Sequence, residues 1–234
     1  MNLRRCDGPP LVVGHRGAAA LAPENTAASF ALAVAAGADV VELDVSPGLR
    51  VGHSLDELPD EPLTLDEALE ELRAHPIGLH LDVKLPGYEE DVLAAVRRHG
   101  VEERSYLSTA YAATARRVAA LSPSTLVAIG YPRDRLGVSR LPWPPTLSAA
   151  GASALRQAMP LRVPVLVRWA HAGALSLHHA LCSRAAVAVS HRLGAPVVAW
   201  TANDPAGVLR LEAAGVDAIV TDDPGMAVAT LRRQ

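Results

Sequence analysis

The sequence predicts an α/β fold, a (β/α)8 barrel built as one domain over residues 1–234. Three observations lead there. Eight short apolar runs alternate with eight longer, alanine-rich segments of helical period, the pattern of parallel strands joined by crossover helices. No linker, low-complexity tract or internal repeat divides the chain, and a hydrophobic content of 50% is ample for one large core. Charged residues recur at the ends of successive strand candidates, where a barrel gathers them at one mouth. A doubly wound open sheet is the competing arrangement.

The first strand candidate, Leu11–Val13, stops at Gly14-His15-Arg16-Gly17. Two glycines allow close backbone approach, and two side chains able to carry positive charge mark the mouth of an anion site. The helix Ala27–Ala36 follows, with Gly37 as its C′ residue. In the second strand, Val40–Val45, Glu42 and Asp44 are two apart and share a face, while Val41, Leu43 and Val45 share the other. Facing the lumen, two such carboxylates repel and need a cation. The stretch "LRVGHS" adds His53 on an extended, strand-like loop.

Thr64 with Glu67 three residues on is a capping box that opens the helix Leu65–Ala74. The third strand, Gly78–Lys84, repeats the grammar of the second: Leu81, Val83 and Leu85 outward, Asp82 and Lys84 inward, His80 lower in the lumen. Then come the helix Glu89–His99, the strand Tyr106–Ser108, the helix Ala112–Leu121, the strand Leu126–Ile129 and the helix Ser148–Met159. The stretch "RVPVLVRWA", 162–170, has a strand reading and a Pro-kinked helix reading. Helix is preferred, because "ALSLHH" then supplies the sixth strand, Ala174–His178. The last elements are the helix Arg184–Leu193, the strand Pro196–Thr201, the helix Ala206–Ala213 between Pro205 and Gly215, the strand Ala218–Thr221 and the helix Met226–Arg232.

Bulk properties exclude several functions. A net charge of -3 offers no global basic field, so nucleic acid is not an expected partner. Aromatics at 3% give little for base stacking or a membrane-interface belt. No stretch reaches the roughly 18 uninterrupted apolar residues of a membrane span, and "MNLRRCDGPP" lacks the apolar region of a signal peptide. The expectation is a cytoplasmic protein without stable membrane anchoring, with Cys6 and Cys182 as reduced thiols. Oligomeric state is not legible.

Each charged residue at a strand end has a plain structural reading. His15 alone is a satisfied polar residue, Glu42 and Asp44 half of a salt-bridge network, Asp82 and Lys84 a mutual ion pair. The conjunction points to a site, because three successive inner strands charged at the same end cost a core too much otherwise. His75, His99, His171 and His191 read as structural, and one of His178 and His179 could face the mouth of the sixth strand.

"GHRG…APENT", "GADVVELDV", the later His53, the acidic-x-Lys strand, "VVAWTAND" and "GVDAIVTDDP", in that order over residues 12–224, resemble the glycerophosphodiester phosphodiesterases. The resemblance implies a TIM barrel that uses a divalent metal to hydrolyse a small-molecule phosphodiester to glycerol 3-phosphate and an alcohol. It implies two catalytic histidines, His15 and His53. It gives Arg16 and Lys84 to the phosphate and makes Trp200 an aromatic at the mouth. It makes Glu42, Asp44 and Asp82 the metal ligands. The donor types agree with Mg²⁺ or Ca²⁺, which prefer oxygen, and no Cys/His cluster offers a zinc site. Glu24 and Asn25 of "PENT" either brace the loop or touch the metal shell. The chain departs from the family at Asp82, usually Glu, at Ser54, usually Asp, and in the short turn "SPGLR" before His53. The extra helical insertion common after the second histidine is absent. Alternative functions on the same scaffold are phospholipase-type cleavage of lipid phosphodiesters and non-catalytic phosphoester binding.

Overall fold

The computed structural model describes residues 1–4, 8–54, 56, 58–133 and 145–232, with no side-chain description for 145–150. Nine strands occur among the described residues: β1 (Leu11–Gly14), β2 (Val40–Ser46), β3 (Arg50–Val51), β4 (Gly78–Val83), β5 (Ser105–Thr109), β6 (Val127–Tyr131), β7 (Ala174–His178), β8 (Val197–Trp200) and β9 (Ala218–Thr221). All but β3 pair in parallel, and β1 pairs with both β2 and β9. That double pairing closes an eight-stranded barrel and excludes the open doubly wound sheet. The short β3 runs antiparallel to β2 and carries the chain back across the mouth.

Among the described residues, eight α-helices surround the barrel: α1 (Ala27–Ala35), α2 (Leu65–Arg73), α3 (Glu89–Arg98), α4 (Ala112–Leu121), α5 (Pro145–Ala170), α6 (Arg184–Arg192), α7 (Pro205–Ala214) and α8 (Pro224–Arg232). The expected helix Ser148–Met159 and the ambiguous 162–170 are one element, α5, with Pro160 and Pro164 inside it. Each internal proline costs a helix about 3 kcal/mol. The helix persists because Met159, Val163, Val167 and Ala170 are all buried at helical spacing, and full burial of each larger side chain returns about 1.5–3 kcal/mol.

Strand alternation sorts the two layers of the core. Val41, Leu43, Val45, Leu79, Leu81 and Val83 pack outward with Phe30, Leu65 and Leu69 of the helices. Inside the barrel, Val13, Val40, Tyr106, Val198, Ala218 and Val220 fill the lower lumen with Leu3. Met1 closes that end: a Cβ on Gly78 would meet its Cε at 2.7 Å. Register then sets the polarity of the upper lumen. Glu42 stands beside His80 and His80 beside Tyr106, while one step higher Asp44 stands beside Asp82 and Asp82 beside Ser108. No helix among the described residues is long and apolar enough to cross a membrane. Cys182 is buried and free; Cys6 lies outside the described residues.

Candidate active site

The loop after β1 is shaped by its two glycines. Gly17 has φ +88°, and a Cβ there would fall on Ser29. A Cβ on Gly14 would meet the Gly17 carbonyl oxygen at 2.5 Å. The loop can therefore fold tightly onto the start of α1, which a Thr26–Ser29 capping box fixes. Ser29 also donates its hydroxyl to the Arg16 carbonyl, 2.8 Å. Between the glycines Arg16 takes φ +51°, and its N–H donates to Glu42 Oε2 at 2.6 Å.

The "PENT" segment braces this loop against β2. Asn25, buried at φ +59°, donates its amide to Asp44 Oδ2 at 3.1 Å and accepts the Asp44 N–H at 3.0 Å. Glu24 accepts from Arg16 Nη1 at 2.6 Å. Asn25 braces the loop, and it does so through Asp44, a member of a carboxylate cluster.

Glu42, Asp44 and Asp82 each place one carboxylate oxygen within 4.8 Å of the others. Lys84, just past the end of β4, ion-pairs with both Asp44 and Asp82. Arg16 Nε lies 3.0 Å from Asp44 Oδ2, and His53 Nδ1 lies 3.5 Å from the same oxygen and 3.1 Å from Arg16 Nη2. Below them Ser108 donates to Asp82 and lies 2.7 Å from His80 Nε2. That chain ties the shorter Asp82 side chain to the lumen wall.

Burial and the neighbouring charges act in opposite directions within the cluster. Burial and then the neighbouring Asp44 charge push the Glu42 carboxyl up to about 8. Burial acts to raise Asp44 as well, but the His53 hydrogen bond and the Lys84 and Arg16 charges outweigh it and hold Asp44 well below the usual carboxylate range. For Lys84, burial acts to lower and the Asp82 and Asp44 charges prevail, so its ammonium titrates above its ordinary value. Burial brings His80 down to about 4. Three carboxylates that each bring an oxygen within 4.8 Å of the others, two of them buried, fit a hard divalent cation.

His15 is held from the far side of the chain. Its Nδ1 lies 2.6 Å from Asp222 Oδ1. Asp222 in turn accepts from the Asn203 amide, and its N–H donates to Asn203 Oδ1 at 2.9 Å. Burial works against protonation of His15; the Asp222 hydrogen bond and the Glu42 charge overcome it, and the imidazole titrates above its ordinary value. Sequence reading gave Asp222 no role. Its only signal is position: it follows β9, which pairs with β1 through Gly14 and Thr221.

His15, Arg16, Glu42, His53, Asp82, Lys84 and Trp200 line one cavity of about 720 Å³ at the C-terminal mouth of the barrel. Asp44 sits fully buried behind it. All eight residues singled out in the sequence are thus brought together. Neither His178 nor His179 lines this cavity. The His178 ring stands edge-on to Trp200, centroids 5.1 Å apart, and its Nδ1 accepts the Ala180 N–H. His99 pairs with Asp66 and His191 with Asp217, as expected of structural histidines.

Comparison with known proteins gives consistent results. The chain matches the Glycerophosphoryl diester phosphodiesterase family over residues 15–46 and 49–226. It is 26% identical over 264 residues to the glycerophosphodiester phosphodiesterase of Caldanaerobacter subterraneus subsp. tengcongensis, covering 95% of this chain and 98% of the relative. The fold is shared with a glycerophosphodiester phosphodiesterase from Parabacteroides distasonis, TM-score 0.74 at 20% identity, covering 97% of this chain and 100% of that one. It is also shared with an Oleispira antarctica phosphodiesterase in complex with the product sn-glycerol-3-phosphate, TM-score 0.70 at 21% identity, covering 96% and 97%.

Proposed function

Because the chain belongs to the glycerophosphoryl diester phosphodiesterase family and is a phosphoric diester hydrolase, we propose that it hydrolyses glycerophosphodiesters to glycerol 3-phosphate and an alcohol by two-histidine acid/base catalysis. The whole chain serves as one catalytic domain. The observation that carries this reading is the convergence, on one cavity, of two histidines, two fixed cations and a three-carboxylate cluster.

Glu42, Asp44 and Asp82 would hold a divalent cation, Mg²⁺ or Ca²⁺, which would supply positive charge against the carboxylates and the phosphoryl oxygens. Arg16 and Lys84 donate to the phosphate oxygens and stabilise the charge that grows on them in the transition state. The Asp222 contact at Nδ1 fixes the His15 ring and leaves Nε2 for proton transfer. His53, about half exposed beside Arg16, takes the opposite proton role. One histidine deprotonates the glycerol 2-hydroxyl, which attacks phosphorus. The other protonates the departing alkoxide, and water opens the resulting cyclic phosphate. Trp200 bounds the cavity on the β8 side.

The test is glycerol 3-phosphate release from a panel of glycerophosphodiesters, with His15→Ala and His53→Ala alongside. Each variant is expected to lose about 10²–10⁴-fold in kcat. Release at an undiminished rate by either variant overturns the two-histidine mechanism.

A further inference from the structure

The cavity extends beyond the proposed catalytic groups to the ends of β5 and β6. Ala110 and Tyr111 follow β5, Pro132 and Arg133 follow β6, and all four line the same cavity as His15 and Lys84. The Arg133 guanidinium stands over the Tyr111 ring, 3.7 Å from its centroid. This contact sets the sign of the region. An open aromatic face recruits quaternary ammonium groups by cation–π attraction. Here the Tyr111 face is already taken by the Arg133 guanidinium, which repels a second cation.

The wider charge distribution points the same way. Residues 105–200, from the start of β5 through β8, hold ten arginines and a single acidic residue, in a chain whose net charge is -3. Among the described residues of this stretch, Arg133 is the charged side chain that lines the cavity, so it sets the charge of the cavity's β5–β6 side. The carboxylate cluster belongs to β2 and β4 in the other half. Asp56, an exposed acid that also lines the cavity, stands in the segment just after His53. A guanidinium donates up to five N–H groups and accepts none, so its natural partners are phosphate and carboxylate.

We propose that Tyr111 and Arg133 form a subsite for the second arm of the diester and select an arm ending in an anionic group over one ending in a quaternary ammonium. The proposal rests on the phosphodiesterase reading and gives it a substrate class.

The test compares kcat/KM for three diesters of glycerol 3-phosphate. Their arms are choline, glycerol, and glycerol bearing a terminal phosphate. Enzymes are the wild type, Arg133→Gln, Arg133→Glu and Asp56→Asn, each checked for folding by its melting temperature. The wild type is expected to favour the phosphate-bearing arm, then glycerol, then choline. Arg133→Glu should lower the anionic-to-choline ratio by about tenfold or more, as reversing a unit charge at contact distance does in a partly hydrated site. Arg133→Gln should lower it by a smaller factor, and Asp56→Asn should leave it within about twofold. An unchanged ratio in Arg133→Glu overturns the subsite, and so does a larger change in Asp56→Asn. If the wild type hydrolyses none of the three, the phosphodiesterase reading itself fails, which is a different result from hydrolysis without discrimination.

Discussion

Lys84 belongs to two descriptions of the site at once. The sequence offered Asp82 and Lys84 as an ion pair or as parts of a phosphate and metal site, and the ammonium indeed pairs with Asp82 while also reaching Asp44. Without a bound cation it is a main counter-charge for the carboxylates. Lys84→Ala should therefore destabilise the metal-free protein by about 3 kcal/mol, lowering its melting temperature by about 6–12 °C. Added Mg²⁺ or Ca²⁺ should raise the melting temperature of this variant more than that of the wild type. An equal rise in both would separate Lys84 from the cluster. His15 and Asp222 give a prediction in pH. The folded pKa of His15 is raised above 6.5 and that of Asp222 lowered below 3.8. Their pairing stabilises the fold where the acid is ionised and the imidazole protonated. It is lost as pH rises through the folded His15 value, and lost again as pH falls through that of Asp222. Asp222→Asn should thus lower the melting temperature most between about pH 4 and 6.5 and least at pH 9. It should also move the His15-controlled limb of the pH–rate profile to lower pH. A melting difference independent of pH would contradict the pairing. This residue was illegible in the sequence because 207 positions separate it from its partner, and no spacing rule joins them.

At the scale of elements, local chemistry was legible wherever it was short-range. The Thr64–Glu67 capping box stands as read, and so does the C′ conformation of Gly215. The Thr26–Ser29 box escaped notice because serine, in place of Glu or Gln, supplies the returning oxygen. The two prolines of α5 made its C-terminal half ambiguous; the buried side of that helix, a tertiary feature, decides the matter. The loop after β1 carries a sharper prediction. Gly17 and Gly100 both have positive φ, +88° and +64°, but only a Cβ at Gly17 meets other atoms. Gly100→Ala should cost about 1 kcal/mol, the ordinary strain of that conformation. Gly17→Ala should cost at least about 3 kcal/mol, since Ser29 must also be displaced. It should lower kcat/KM too, because Arg16 and the Glu42 contact move with the loop. Chemical denaturation of the two variants measures the difference, and equal losses would mean that the packing of this loop onto α1 is unimportant.

For the molecule as a whole, alternation of strands and helices made the barrel legible, and inward charge on three neighbouring strands made its mouth legible. The clustering of Glu42, Asp44 and Asp82 followed from closure, since in-register pairing sets Asp44 beside Asp82. The Arg133–Tyr111 contact was out of reach because it joins two loops whose sequences carry no motif. The central claim is that this cluster holds the divalent cation on which hydrolysis depends. A bound cation at a hundred times its Kd adds about 2.7 kcal/mol of stability, so occupancy is visible in melting as well as in turnover. The most direct measurement is glycerol 3-phosphate release by chelator-stripped enzyme as Mg²⁺ or Ca²⁺ is titrated back, with Asp44→Asn in parallel. The expected result is loss of turnover on stripping, saturable recovery in the wild type, and a half-saturating metal concentration about tenfold or more higher in the variant. Full turnover by the stripped enzyme, or the same metal dependence in Asp44→Asn, would contradict it.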